Sequence, residues 1–171
     1  IMKKYLVSTL FLFYAAVSFA QWNLVNPPPT SEDLFSVHFP SATIGYSVGS
    51  NGVIIKTVDG GENWFTLNSG TAKDLLSVFF PTVDSGYAVG NSGTILITCN
   101  GGNNWFPATS GITSDVTSVN FTTSSIGYAV GRGGEIIKTT DGGVSWELKQ
   151  MSSSHLTSVH FSHQMLGYAV G

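Results

Sequence analysis

Four tryptophans set the frame of this chain. Trp22, Trp64, Trp105 and Trp146 are spaced by 42, 41 and 41 residues. The Gly-Tyr pairs at 45–46, 86–87, 127–128 and 167–168 step by 41, 41 and 40. Two independent landmarks that keep one spacing define a repeated structural unit, and a unit of that length buries its apolar face by stacking on its neighbours.

Each unit reads as four short strands. "LFSVHF" (34–39) alternates, with Phe35, Val37 and Phe39 expected on one side and Ser36 and His38 on the other. "GYSVGS" (45–50) leads into Asn-Gly, a hairpin signal, and "VIIKTV" (53–58) is rich in β-branched residues. "NWFTL" (63–67) closes the unit, and the later copies follow the same order. Four strands in about 41 residues is the pattern of a β-propeller blade, so the chain is expected to be all-β. Residues 21–171 divide into periods 22–63, 64–104 and 105–145 and an incomplete one, 146–171. That is about half a ring at the N-terminal end of a longer propeller, with Trp22-Asn-Leu-Val25 an outer strand lacking its own first three.

The first twenty residues follow another logic. Lys3 and Lys4 precede a thirteen-residue apolar run, Tyr5 to Val17, and Ser18-Phe19-Ala20 puts small residues before a cut between Ala20 and Gln21. This is the layout of a secretory signal peptide, and the run falls short of the ~20 residues of a spanning helix. The expected product is an exported protein without a membrane span. From Gln21 onward it carries five basic and ten acidic residues, a formal net charge of −5. Arg132 is the only arginine, which argues against nucleic acid as a partner. Cys99 is the only cysteine, so no intrachain disulfide is possible and packing must supply the stability.

Between the third and fourth strands one phrase recurs: Thr57-x-Asp59-x-Gly61-x-x-Trp64, Thr98-x-Asn100-x-Gly102-x-x-Trp105 and Thr139-x-Asp141-x-Gly143-x-x-Trp146. A short carboxylate or amide oxygen can accept backbone N–H groups one or two residues on, and glycine supplies positive φ. Tryptophan offers a large apolar face to a neighbouring blade. Asn100 can accept such bonds but cannot be a general base, and three copies about 41 residues apart face different corners of a ring. Turn construction, not catalysis, is the expected role.

The phrase resembles the Asp-box, or BNR repeat. The longer strings "GYAVGNSGTILITCNGGNNW" (86–105) and "GYAVGRGGEIIKTTDGGVSW" (127–146) are similar to the repeat of the photosystem II assembly and stability factor family. The resemblance implies a seven-bladed propeller that works by docking on proteins. The function expected is a non-enzymatic scaffold that binds a protein or cell-surface ligand, with photosystem II assembly itself one possible activity.

No catalytic or metal constellation accompanies the repeat, and no cofactor is expected. Loop positions Asn51, Asn91 and Arg132 are candidate contacts at the end of the ring where loops gather. A secreted carbohydrate-active enzyme of the sialidase or endoglucanase type is the alternative. One arginine cannot clamp a sialic acid carboxylate, and Glu32-Asp33, Asp74 and Asp115 occupy equivalent inter-blade segments that read as solvated turn residues. His155, His160 and His163 match no zinc spacing. His38 and His160 fall at the repeat position of Phe79 and Asn120, which points to packing.

Overall fold

The computed structural model describes residues 29–171. The leader, the cut between Ala20 and Gln21 and the strand at Trp22–Val25 lie outside the described residues. Three four-stranded antiparallel sheets follow one another, each ordered as in the chain. Blade 1 comprises β1 (Leu34–His38), β2 (Gly45–Gly49), β3 (Ile54–Thr57) and β4 (Phe65–Leu67). Blade 2 comprises β5 (Leu75–Phe79), β6 (Gly86–Gly90), β7 (Thr94–Thr98) and β8 (Phe106–Ala108). Blade 3 comprises β9 (Val116–Phe121), β10 (Gly127–Gly131), β11 (Glu135–Thr139) and β12 (Glu147–Met151). β13 (Ser158–His163) and β14 (Leu166–Val170) form a hairpin against blade 3. The tryptophan-to-tryptophan periods keep the repeat length but cut each sheet between its third and fourth strands.

The strand alternation expected for 34–39 is corrected by a β-bulge. The β1–β2 register slips between Leu34 and Ser36, and β5–β6 slips between Leu75 and Ser77. A bulge adds one residue to one strand and flips what precedes it. Leu34, not Phe35, therefore joins Val37 in lining the apolar face of blade 1. The equivalents Leu75, Val78 and Phe80 are buried against Tyr46, Val48 and Ile54 of blade 1. Val116, Val119 and Phe121 pack in the same way against Tyr87, Val89 and Ile95 of blade 2. Each blade thus presents Tyr, Val and Ile forward to a face built by the bulged first strand of the next.

The opposite edge of the first strands is polar because it bonds to the next blade. Val78 N–H donates to Ser36 Oγ at 3.2 Å, Val119 N–H to Ser77 Oγ at 3.4 Å and Val159 N–H to Ser118 Oγ at 3.2 Å. His38 belongs to the same seam. Its Nδ1 accepts the Phe80 N–H at 3.3 Å, its ring lies 4.7 Å from that of Phe79, and burial lowers its pKa.

Candidate functional site

The three recurrent turns are built alike, and threonine, not the carboxylate, organises them. Thr57, Thr98 and Thr139 are buried to 0–1 % exposure. Their hydroxyls accept the N–H of Gly61, Gly102 and Gly143 at 2.9, 2.9 and 2.8 Å, and donate to Asp59, Asn100 and Asp141 at 2.7, 3.0 and 2.8 Å. The Asp or Asn oxygen reaches four residues on, to the N–H of Asn63, Asn104 or Ser145 at 2.9–3.0 Å. This corrects the one-or-two-residue span expected from sequence: the hydroxyl takes the near donors, leaving the longer reach to the carboxylate. Gly60 and Gly61 have φ of 78° and 100°, the left-handed region the turn requires.

Asn100 is accommodated by reversed polarity. Asp59 Oδ2 accepts from Asn63 Nδ2 at 2.8 Å and Asp141 Oδ2 from the Ser145 hydroxyl at 2.6 Å, whereas Asn100 Nδ2 donates to Asn104 Oδ1 at 3.1 Å. Hydrogen bonds from Asn63 and Thr57 hold the pKa of Asp59 at about 2, and those from Ser145 and Thr139 do the same for Asp141. A carboxyl so stabilised as its anion is a poor general acid.

The second and third turns also receive the blade before them, a contact across 55 residues that no local pattern reveals. Tyr46 Oη donates to Gly101 O at 2.9 Å, joined there by Lys56 Nζ at 2.7 Å, and Tyr87 Oη donates to Gly142 O at 2.7 Å. Tyr46 stacks on Phe80 at 3.7 Å and Tyr87 on Phe121 at 3.9 Å. Trp105 and Trp146 then meet those phenylalanines edge-on at 5.9 Å. The tryptophan belongs to this inter-blade aromatic cluster, and Trp64 and Trp146 each donate Nε1–H to a turn carbonyl, Gly61 O or Gly143 O, at 3.1 Å. The glycine of each Gly-Tyr pair makes room for the cluster: a Cβ on Gly86 would lie 2.3 Å from the Phe80 ring.

At the opposite ends of the strands, the β2–β3, β6–β7 and β10–β11 turns meet the inter-blade connectors and form a rim. Asn51, Asn91 and Arg132 lie on it, as the sequence suggested, but each is engaged. Asp74 accepts the Asn51 N–H at 3.0 Å and Asn91 Nδ2 at 3.2 Å. Asp115 accepts the Ser92 N–H at 3.0 Å and pairs with Arg132 at 3.2 Å. Glu32 accepts from Asn51 Nδ2 at 2.7 Å. The reading of these acids as solvated turn residues is therefore corrected: Asp74 and Asp115 staple one blade's turn to the next blade's first strand. His155 contacts the Arg132 carbonyl on the same rim. Between blades 1 and 2 the rim opens into a cleft of about 340 Å³, and the apolar face of blade 1 carries a groove of about 270 Å³ that includes Trp64.

Among the described residues no three His, Cys, Asp or Glu side chains gather as metal ligands, and no helix is long and apolar enough to cross a membrane. Cys99 is exposed within the second turn.

Comparison with known proteins follows the same geometry. The structure of YCF48 bound to D1 peptide superposes with a TM-score of 0.67 at 22 % identity, over 75 % of this chain and 44 % of that one. The GH74 enzyme of Niastella koreensis gives 0.62 at 20 % identity, over 75 % and 24 %. The computationally designed protein Ika4 gives 0.70 at 13 % identity, over 89 % and 100 %. The chain thus spans less than half the length of these two natural propellers. Among curated proteins none is significantly similar in sequence. The sequence model of the photosynthesis system II assembly factor YCF48 matches residues 14–109, more than half of the chain. With Tyr-to-turn bonds linking blade to blade and propeller structures superposing on those blades, this chain belongs to the YCF48 family of photosynthesis system II assembly factors.

Proposed function

We propose that the protein is an exported, non-enzymatic propeller scaffold that binds a segment of a partner protein on the rim formed by the β2–β3, β6–β7 and β10–β11 turns. The observation that carries this reading is the stapling of those turns through Asp74 and Asp115, which holds the rim's backbone in place before any partner arrives. A preorganised surface loses little entropy on binding. A photosystem protein segment is the first partner to test, because the similar YCF48 structure holds a D1 peptide. Fluorescence anisotropy of a labelled D1 peptide against the chain tests it, with saturable binding expected and no binding at any protein concentration as the refuting result. Export is supported by the leader's charge and apolar run, and N-terminal sequencing of the protein recovered from expressing cells should begin at Gln21.

An enzymatic reading rests on the likeness to the GH74 propellers, which at 20 % identity concerns the fold. Asp74 and Asp115 spend carboxylate oxygens on backbone N–H groups of adjacent turns, so neither is poised as a free acid or base. Reducing-sugar release above a buffer blank from xyloglucan, chosen because a similar GH74 structure from Xanthomonas campestris is that of a xyloglucanase, would reinstate the enzyme.

A further inference from the structure

We propose that the cleft between blades 1 and 2 is a subsite for an acidic side chain of the bound partner segment, with Lys73 as its counter-charge; this rests on the scaffold reading above. The cleft holds about 340 Å³, and its lining includes Thr71, Lys73, Thr94, Leu96, Trp105 and Pro107. That volume lies in the range of small-ligand sites, and hydroxyl and ammonium groups make up much of its lining.

The internal repeat says what the cleft lacks. At the next junction, between blades 2 and 3, the positions of Thr71, Lys73 and Thr94 are occupied by Ile112, Ser114 and Glu135. Glu135 is 9 % exposed there, and its Oε1 accepts the Ser114 hydroxyl at 2.7 Å. The protein thus supplies its own carboxylate to that junction. Between blades 1 and 2 the carboxylate is replaced by a threonine and its hydroxyl partner by a lysine. One anion is removed and one cation added, which leaves room and charge for a carboxylate from outside.

Lys73 is available for that role. Among the described residues every other lysine and arginine has a partner: Lys56 the Gly101 carbonyl, Arg132 Asp115, Lys138 the Tyr128 ring and Lys149 Glu147. Neither Asp74 nor Asp115 forms an ion pair with Lys73. Asp74 is bonded to Asn51 and Asn91, and Asp115 to Ser92 and Arg132. Lys73 is itself exposed, and an exposed ammonium favours a carboxylate over its neutral isostere by roughly a few-fold.

The test is a ¹⁵N NMR titration of the chain with acetyl-Ala-Glu-Ala-amide and, separately, acetyl-Ala-Gln-Ala-amide. The glutamate peptide should shift the amides of Thr71–Lys73 and Ser92–Thr94 and the Trp105 indole, binding roughly three- to fivefold tighter than the glutamine peptide. Lys73→Met should abolish the difference and Lys73→Arg should keep it. Thr94→Glu, which copies the filled junction, should block the response while leaving the rest of the spectrum in place. Equal responses to both peptides, a response unchanged in Lys73→Met, or no shift at the cleft overturns the subsite. The anisotropy measurement with the D1 peptide is separate, so rim binding without cleft involvement refutes this proposal alone.

Discussion

Replacing Thr98 with valine isolates the group that organises the recurrent turns. Valine keeps the shape of threonine but removes its hydroxyl. The Gly102 N–H, buried and 2.9 Å from that oxygen, then has no acceptor, and Asn100 Oδ1 loses a 3.0 Å donor. An orphaned buried donor costs about 1–3 kcal/mol, and the second, more exposed bond adds about 0.5–1. A loss of about 2–3 kcal/mol is therefore expected for Thr98→Val. Thr98→Ser keeps both bonds and removes one buried methyl group, worth about 1 kcal/mol. In urea, with a slope of about 2 kcal/mol per molar, the valine variant should shift the midpoint down by roughly 1–1.5 M and the serine variant by about half a molar. Intrinsic fluorescence follows unfolding directly, since Trp105 sits in the affected turn. A valine variant within about 0.5 kcal/mol of wild type, or a serine variant as damaged as the valine one, would refute the assignment of the hydroxyl as organiser.

Further outcomes follow from the same geometry. Asp59 and Asp141 titrate near 2 when folded, below the ~3.9 of an unfolded aspartate, so the stability they lend is present above about pH 4 and lost as pH falls through 2. Asp59→Asn with Asp141→Asn should flatten the acid limb of the Tm–pH curve, and an unchanged slope would count against the turn bonds. Burial and the charge of Asp84 raise Tyr46 to about 12, and burial and Asp141 do the same for Tyr87. The stability tied to these neutral phenols holds below about pH 10 and is lost as pH rises through 12. Tyr46→Phe and Tyr87→Phe should each cost about 1 kcal/mol at neutral pH and remove one late-ionising phenol from an ultraviolet titration. Gly70 and Gly102 have φ of 74° and 82°, but a Cβ on Gly70 meets nothing within 4 Å whereas one on Gly102 comes to 2.8 Å from Leu67. Gly70→Ala should cost about 1–2 kcal/mol of backbone strain alone and Gly102→Ala measurably more, by chemical denaturation.

The sequence by itself determined whatever is local or periodic. Blade length, strand order and the three glycine turns span few residues, and their chemistry, such as a threonine two residues before an aspartate, is complete within one segment. The pairing of Asn51 with a hairpin and of Gly60-Gly61 with positive φ followed from backbone sterics alone, and both hold in the structure. Tertiary structure decided whatever depends on register or on a second blade. The bulge that exchanges Phe35 for Leu34 on the apolar face is a pairing event between β1 and β2, invisible to a two-residue alternation. The bond from Tyr87 to Gly142 and the serine bonds between first strands join residues 55 and about 42 apart, so nothing in either segment announces its partner. The rim acids looked solvated because the amides they accept belong to turns 17–23 residues distant. The cleft at Lys73 shows the same division: only stacking blade 1 on blade 2 set an ammonium without a partner among the described residues beside a space that the next junction fills with its own carboxylate.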